Sequence, residues 1–232
     1  MTGTSDHVLY AAIVFLAIHL LPGTPIRGRA VKAMGEGPYR GLFSLLSAIT
    51  LAWLAWAYSV ASEASTEQLW PQAPWTRWVP LIVMPFALIL FVAGLTSRNP
   101  SMAGMERSVD QQFAVGGILT ITRHPLLWSF ALWSLAHLPP NGDRASLWMF
   151  GSLALLALAG MAMIDRRKGE EIGAAWGPIL MRTSAIPFLA AVQGRTKVDW
   201  RGISWWRPVL GLFLYALILG GHRHVFGVSP WP

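Results

Sequence analysis

The side chains best placed to do chemistry in this sequence are histidines, and their positions within apolar runs separate them. His19 follows Phe15 by one helical turn and precedes Leu20, Leu21 and Pro22, in a segment with no other polar side chain after Tyr10. An ionisable group at such a depth is costly without a partner, which makes His19 a functional candidate. A neutral imidazole hydrogen-bonded to a neighbouring helix accounts for it equally well. His137 closes a helical stretch on which Phe130, Trp133 and Ser134 share its face. His7, His222 and His224 fall at the ends of the first and last apolar runs and read as solvated interfacial residues.

Thr122-Arg123-His124-Pro125 reads as a helix start, with Thr122 able to cap and Pro125 suited to the first turn because its missing N–H costs nothing there. His124 and His137 lie on one helix, about 140° apart in azimuth and ~20 Å apart along it, so they do not serve one small site. Pro139-Pro140-Asn141-Gly142-Asp143 is a tight turn, with Asp143 capping the helix that follows. Asp165-Arg166-Arg167-Lys168 with Glu170-Glu171 reads as a topology signal and solvated face, or as two adjacent carboxylates holding a polar cofactor. The chain has no cysteine, which excludes disulfides, thiolate metal ligation, an iron–sulfur cluster and a covalently attached c-type haem.

These residues are positioned by apolar runs. Hydrophobic residues make up 54% of the 232 and charged ones 12%, about half the charged share of a soluble domain. Runs over His7–Leu21, Tyr39–Val60, Val79–Leu95, Gly116–Leu138, Ser146–Ile164 and Pro208–His222 each approach the ~20 residues that cross a bilayer. The expectation is an all-α, polytopic transmembrane bundle of about six helices, forming one integral membrane domain over residues 1–232. Of the 18 Lys and Arg, fifteen, Arg107 among them, fall in the first, third and fifth gaps or at their edges. Arg77, Arg144 and Arg223 fall on the other side. Positive charge stays cytoplasmic, which places both termini outside, in a bacterial inner membrane. The net charge of +7 is explained by such loops and by anionic lipid, not by nucleic acid.

Thr122-Arg123-His124-Pro125-Leu126-Leu127-Trp128, then Ala131-Leu132-Trp133-Ser134-Leu135-Ala136-His137-Leu138 and Asn141-Gly142-Asp143, resembles the signature of the NnrU family. Arg98-Asn99-Pro100 and Tyr39-Arg40-Gly41-Leu42-Phe43-Ser44 extend the likeness over most of the chain. That family joins bacterial proteins associated with denitrification and nitric oxide metabolism to the 15-cis-zeta-carotene isomerases. The resemblance implies a haem b held by His19 and His137, with Trp133 and Phe130 packing the pocket and Arg123 pairing with a propionate. It further implies redox or cis–trans isomerase chemistry on an apolar, polyene-like substrate, or a role beside nitrogen-oxide reduction, with membrane lipid as the surroundings. Ser134 stands where the plant branch carries a cysteine. With both termini outside, His19 falls toward the cytoplasmic half and His137 toward the outer end. Bis-histidine ligation needs their nitrogens about 4 Å apart, so tilt or a shifted helix boundary is required. A second likeness, of Arg123-His124-Pro125 with Glu170-Glu171, Trp176 and Ile186-Pro187-Phe188, is to membrane methyltransferases. It implies His124, Glu170 and Glu171 around S-adenosylmethionine.

Overall fold

The computed structural model describes residues 2–64, 67–102 and 114–232; Arg107 lies outside them. The described chain is helical, with one isolated bridge between Gln68 and Asp143. Its helices are α1 (Ser5–Leu20), α2 (Pro25–Met34), α3 (Glu36–Glu63), α4 (Trp78–Thr96), α5 (Pro125–His137), α6 (Arg144–Ile172), α7 (Gly177–Arg182), α8 (Leu189–Val192), α9 (Trp200–Ile203) and α10 (Trp206–Phe226). Among the described residues, five stretches are long and apolar enough to cross a membrane: Ser5–Gly23, Glu36–Glu63, Pro74–Thr96, Arg144–Arg182 and Trp206–Phe226. The protein is a polytopic membrane protein.

The fourth apolar run departs from expectation. Only its second half is α-helical, and the 13 residues of α5 rise about 20 Å against a hydrocarbon core of about 30 Å. Gly117 sits at φ 55°, opening a 3-10 turn that ends at Thr120. The backbone beyond it bonds sideways instead of along a helix: the Arg123 N–H donates to the Ser184 carbonyl (3.0 Å), and the Phe188 N–H to that of Ile121 (2.8 Å). Pro125 then fixes the helix start. Both termini on one side need an even number of crossings, so the expected orientation requires the α5 segment to cross as well. Compartment reporters fused after Lys168 and after Pro232 are expected on opposite sides, because α10 is the spanning stretch left between them. The same side for both would remove that crossing.

Contacts group the chain into two compact units. The first takes Met1–Thr76 and His137–Leu156. Thr4 caps α1, accepting from the His7 N–H (3.3 Å). α1 lies antiparallel on α3, since His7 meets Trp53 and Trp56 while His19 meets Phe43 at the other end. Small side chains line this seam, Ala11 and Ala12 on α1 and Ala57 and Ala61 on α3, all buried, which lets the backbones approach. The turn before α6 forms as expected, with Asp143 accepting from the Ser146 N–H (2.9 Å) and hydroxyl (2.6 Å). Residues Glu67 to Trp70 strap it: the Leu69 and Trp70 N–H groups donate to the Gly142 carbonyl, and the Trp70 indole to that of Pro139.

The second unit takes Arg77–Ala136 and Ala157–Pro232. Here α4 and α10 run antiparallel. Tyr215 donates to the Leu81 carbonyl (3.0 Å), and at the far end Arg207 donates to the Thr96 hydroxyl (2.9 Å) and carbonyl (3.1 Å), satisfying the end of α4. Ala93, Ile118, Leu119, Ile121 and Ile203 form a buried cluster beside it. Asp199 ties this region together. Its carboxylate accepts from the Gly117 N–H (2.9 Å) and the Gly202 N–H (2.9 Å), and its own N–H donates to the Thr120 hydroxyl (3.0 Å). Gly117 and Gly202 are glycines of necessity, because a Cβ on Gly117 would meet the Gly202 carbonyl oxygen at 2.7 Å and one on Gly202 would meet the Gly117 nitrogen at 2.8 Å.

The Gly117 and then the Gly202 amide hold the Asp199 carboxyl below the usual carboxylate range. A lowered folded-state value means that the stabilisation is complete above the ordinary carboxyl value and is lost as pH falls through the lowered one. The unfolding temperature of the purified protein is expected to fall over that acid window, from about pH 4 downward. Asp199→Asn should flatten the part of the fall that this clamp contributes. An identical acid profile in the two proteins would refute that contribution.

Candidate functional site

The structure joins two of the sequence's candidates to a third residue that the sequence presents as part of a charge run. Asp165, on α6, accepts from Arg123 Nε at 2.9 Å on both oxygens and from Nη2 at 2.6 Å on Oδ2, while His124 Nε2 meets Oδ1 at 2.9 Å. The His124 side chain is 1% exposed, Arg123 13% and Asp165 18%, so the three form a mostly buried polar lock. Bidentate guanidinium–carboxylate geometry is the strong form of such a pair. The imidazole occupies carboxylate capacity that the guanidinium leaves open.

Local sequence explains how each member is aimed. Arg123 and His124 sit in the non-helical step before Pro125, where the backbone is held from both sides. Asn99 Nδ2 (3.1 Å) and the Ser101 hydroxyl (3.0 Å) donate to the Arg123 carbonyl. The Thr122 hydroxyl donates to the Ala185 carbonyl (2.8 Å), which also accepts from the Trp128 indole (2.7 Å). Arg98-Asn99-Pro100-Ser101 therefore holds the Arg123-His124 step in place. Thr122 does not cap α5 directly; it braces the His124 N–H at 3.3 Å. The usable signal for Asp165 is its place as the first charge after the run ending at Ile164. A carboxylate at the edge of an apolar span wants a partner.

The remaining candidates lie elsewhere. His19 Nδ1 bonds the Phe15 carbonyl at 2.8 Å within its own helix, and its ring packs on Phe15 and Phe43. The His137 ring stacks on Phe150 (5.4 Å between centroids), and Phe150 meets Tyr58 edge-on at 5.6 Å. Phe43 and Tyr58 lie fifteen residues apart on α3, about 22 Å along its axis. His19 thus belongs to one end of the α1–α3 pair. His137 reaches the other, where Arg144 approaches Asp6 at the start of α1. A haem with two histidine ligands does not fit both rings as they are packed here. Among the described residues no group of three or more His, Asp or Glu is placed to hold a metal ion.

Arg123, expected on a propionate, is engaged by Asp165. Phe130 is 44% exposed and meets Phe91 edge-on, so it faces outward from the helix more than into a pocket. Trp133 is half-buried, and the Ser134 hydroxyl on the same helix is fully buried. His7, read as solvated, instead accepts from the Trp53 indole at 3.0 Å. Of the residues in the methyltransferase likeness, His124 is bound to Asp165, Glu170 pairs with Arg166 (3.1 Å), and Glu171 lies near Arg167 and Lys168.

A family profile described as NnrU protein matches residues 7–230. The curated relatives include the chloroplastic 15-cis-zeta-carotene isomerases of Zea mays and Arabidopsis thaliana. The first is 28% identical over 82% of this chain and 52% of its own length. The second is 29% identical over 84% of this chain and 53% of its own length. The chain therefore spans about half the length of the curated relatives it matches. No solved structure matches it significantly.

Proposed function

Because this chain belongs to the NnrU family, we propose that it is a membrane-embedded isomerase acting on an apolar, polyene-like substrate. The observation that carries the reading is the likeness to two 15-cis-zeta-carotene isomerases over more than four fifths of the chain. The physical setting agrees with it. A polyene partitions into the hydrocarbon of the bilayer, and the spanning helices present apolar side chains outward along their length, Leu45, Ile49, Phe86 and Phe213 among them. A substrate of that kind reaches the protein laterally from lipid and needs no aqueous channel.

The test is reconstitution of the purified chain in vesicles carrying 15-cis-zeta-carotene, kept in darkness. Isomers are separated by chromatography, with parallel samples supplied with haem b and a reductant. Loss of the 15-cis isomer faster than in protein-free vesicles is the expected result in at least one condition. Equal rates with and without protein in every condition would overturn the proposal.

A further inference from the structure

Beyond α6 the chain makes two short helices, α7 and α8, and a cleft of about 430 Å³ opens between them. That volume falls in the range of small-molecule sites. Two guanidinium groups reach it, Arg123 and Arg195, together with Gln193, and among the described residues no carboxylate lines it. The two arginines are each fixed by part of their donor set and leave part unused. Arg123 spends Nε and Nη2 on Asp165. Arg195 spends Nη1 on the carbonyls of Leu180, Met181 and Thr183, at 2.7 to 3.0 Å, and Nε on Gln193 Oε1 at 2.8 Å. Among the described residues Arg123 Nη1 and Arg195 Nη2 bond nothing. The Arg195 charge meets only carbonyl and amide oxygens, so the cleft keeps a net positive charge.

Its rim is apolar and uncovered. Met181 is 67% exposed and Ile186 58%, with Leu180 beside them, and Val192 stands 82% exposed at the end of α8. Exposed Trp200 and Trp205 follow shortly in the chain, before α10. A polar, positively charged recess edged by bare aliphatic side chains and followed by tryptophans has the chemistry of a membrane interface. We propose that this cleft binds the headgroup of an anionic phospholipid, with the phosphate on Arg195 and Arg123 and the acyl chains along Leu180, Met181 and Ile186. Charge selects this occupant. A zwitterionic headgroup brings its own cation to a recess where no carboxylate among the described residues receives it, whereas a phosphodiester with a neutral glycerol leaves both guanidinium groups paired. Free inorganic phosphate supplies the same charge but leaves the apolar rim uncovered.

The full chain in a neutral detergent is titrated with short-chain phosphatidylglycerol, short-chain phosphatidylcholine and inorganic phosphate, with binding read by native mass spectrometry and calorimetry. Phosphatidylglycerol is expected to bind about tenfold more tightly than either of the others. Arg195→Gln should weaken it, but this residue also holds the α7 carbonyls, so its loss can act through the fold. Gln193→Glu avoids that difficulty. It keeps an acceptor for Arg195 Nε and adds a negative charge at the cleft, and it is expected to lower phosphatidylglycerol affinity at least fivefold with an unchanged unfolding temperature. Equal affinity for the two lipids would overturn the proposal. Phosphate binding as tight as phosphatidylglycerol would overturn the lipid as occupant, and an affinity untouched by Gln193→Glu would overturn the location.

Discussion

Asp165→Ala is expected to lower the stability of the detergent-solubilised protein by about 3 kcal/mol, which is the lower end of what breaking a buried ion pair costs. For a chain of this size that corresponds to an unfolding temperature lower by about 10 °C. The lower end applies because the Arg123 and Asp165 side chains retain 13% and 18% exposure and some access to solvent. The cost arises less from the lost attraction than from what is left behind: a guanidinium with two of its donors stranded and an imidazole, 1% exposed, without its partner. Asp165→Asn keeps an oxygen acceptor but loses the charge, and should fall between the parent and the alanine variant. Combining Asp165→Leu with Arg123→Met removes both charges together and should recover part of the loss, since replacing a whole buried pair by apolar groups is often near neutral. Thermal unfolding of the four proteins checks the series. An alanine variant within about 1 °C of the parent would refute the lock's contribution to stability.

The same three residues show what the sequence made legible. Arg123 and His124 stand out as polar residues immediately before a proline and a long apolar stretch, and both are part of the lock. Asp165 reads as one member of a charge run, because its partners lie 42 and 41 residues away. Local pattern does not encode which carboxylate of Asp165, Glu170 and Glu171 turns inward. Glu170 and Glu171 attract attention as a pair, yet each finds its cation one helical turn away on its own helix. The turn at Pro139–Asp143 and the cap on α6 are legible because proline, Asn-Gly and Asp act through their nearest neighbours. The spanning helices are legible because length and hydropathy are local sums. The fourth run defeats that sum: its overall hydropathy is high enough to suggest one span, but backbone groups at Ile121 and Arg123 pair with Phe188 and Ser184 far along the chain. Hydropathy carries no record of such pairing.

Gly211→Leu is expected to have a comparably large effect, by a mechanism confined to packing. At Gly211 the α10 backbone comes so close to α4 that an added Cβ would sit 2.7 Å from Ile89 Cα and 2.9 Å from its nitrogen. The obstacle is backbone, which does not swing aside as a flexible side chain does. Helices in lipid associate through close van der Waals packing at small residues, because lipid tails are as apolar as leucine and supply no hydrophobic drive between helices. Leucine at 211 therefore forces α10 away from α4, at a cost of about 2–3 kcal/mol as for an overpacked core. It also strains the bonds on either side of the contact, from Tyr215 to Leu81 and from Arg207 to Thr96. Gly220 supplies the control on the same helix. A Cβ added there would meet nothing within 4 Å, so Gly220→Ala is expected to leave stability unchanged or raise it by up to about 1 kcal/mol through helix propensity. The effect should also reach the lock, because α4 carries Gly94, where a Cβ would meet the Leu126 backbone nitrogen at 2.8 Å. A displaced α4 loosens the seat of α5 just beyond Arg123 and His124. In the vesicle assay Gly211→Leu should therefore lose the proposed isomerisation as well as stability, with Gly220→Ala retaining both. Matching behaviour of the two glycine variants would refute the close approach of α4 and α10.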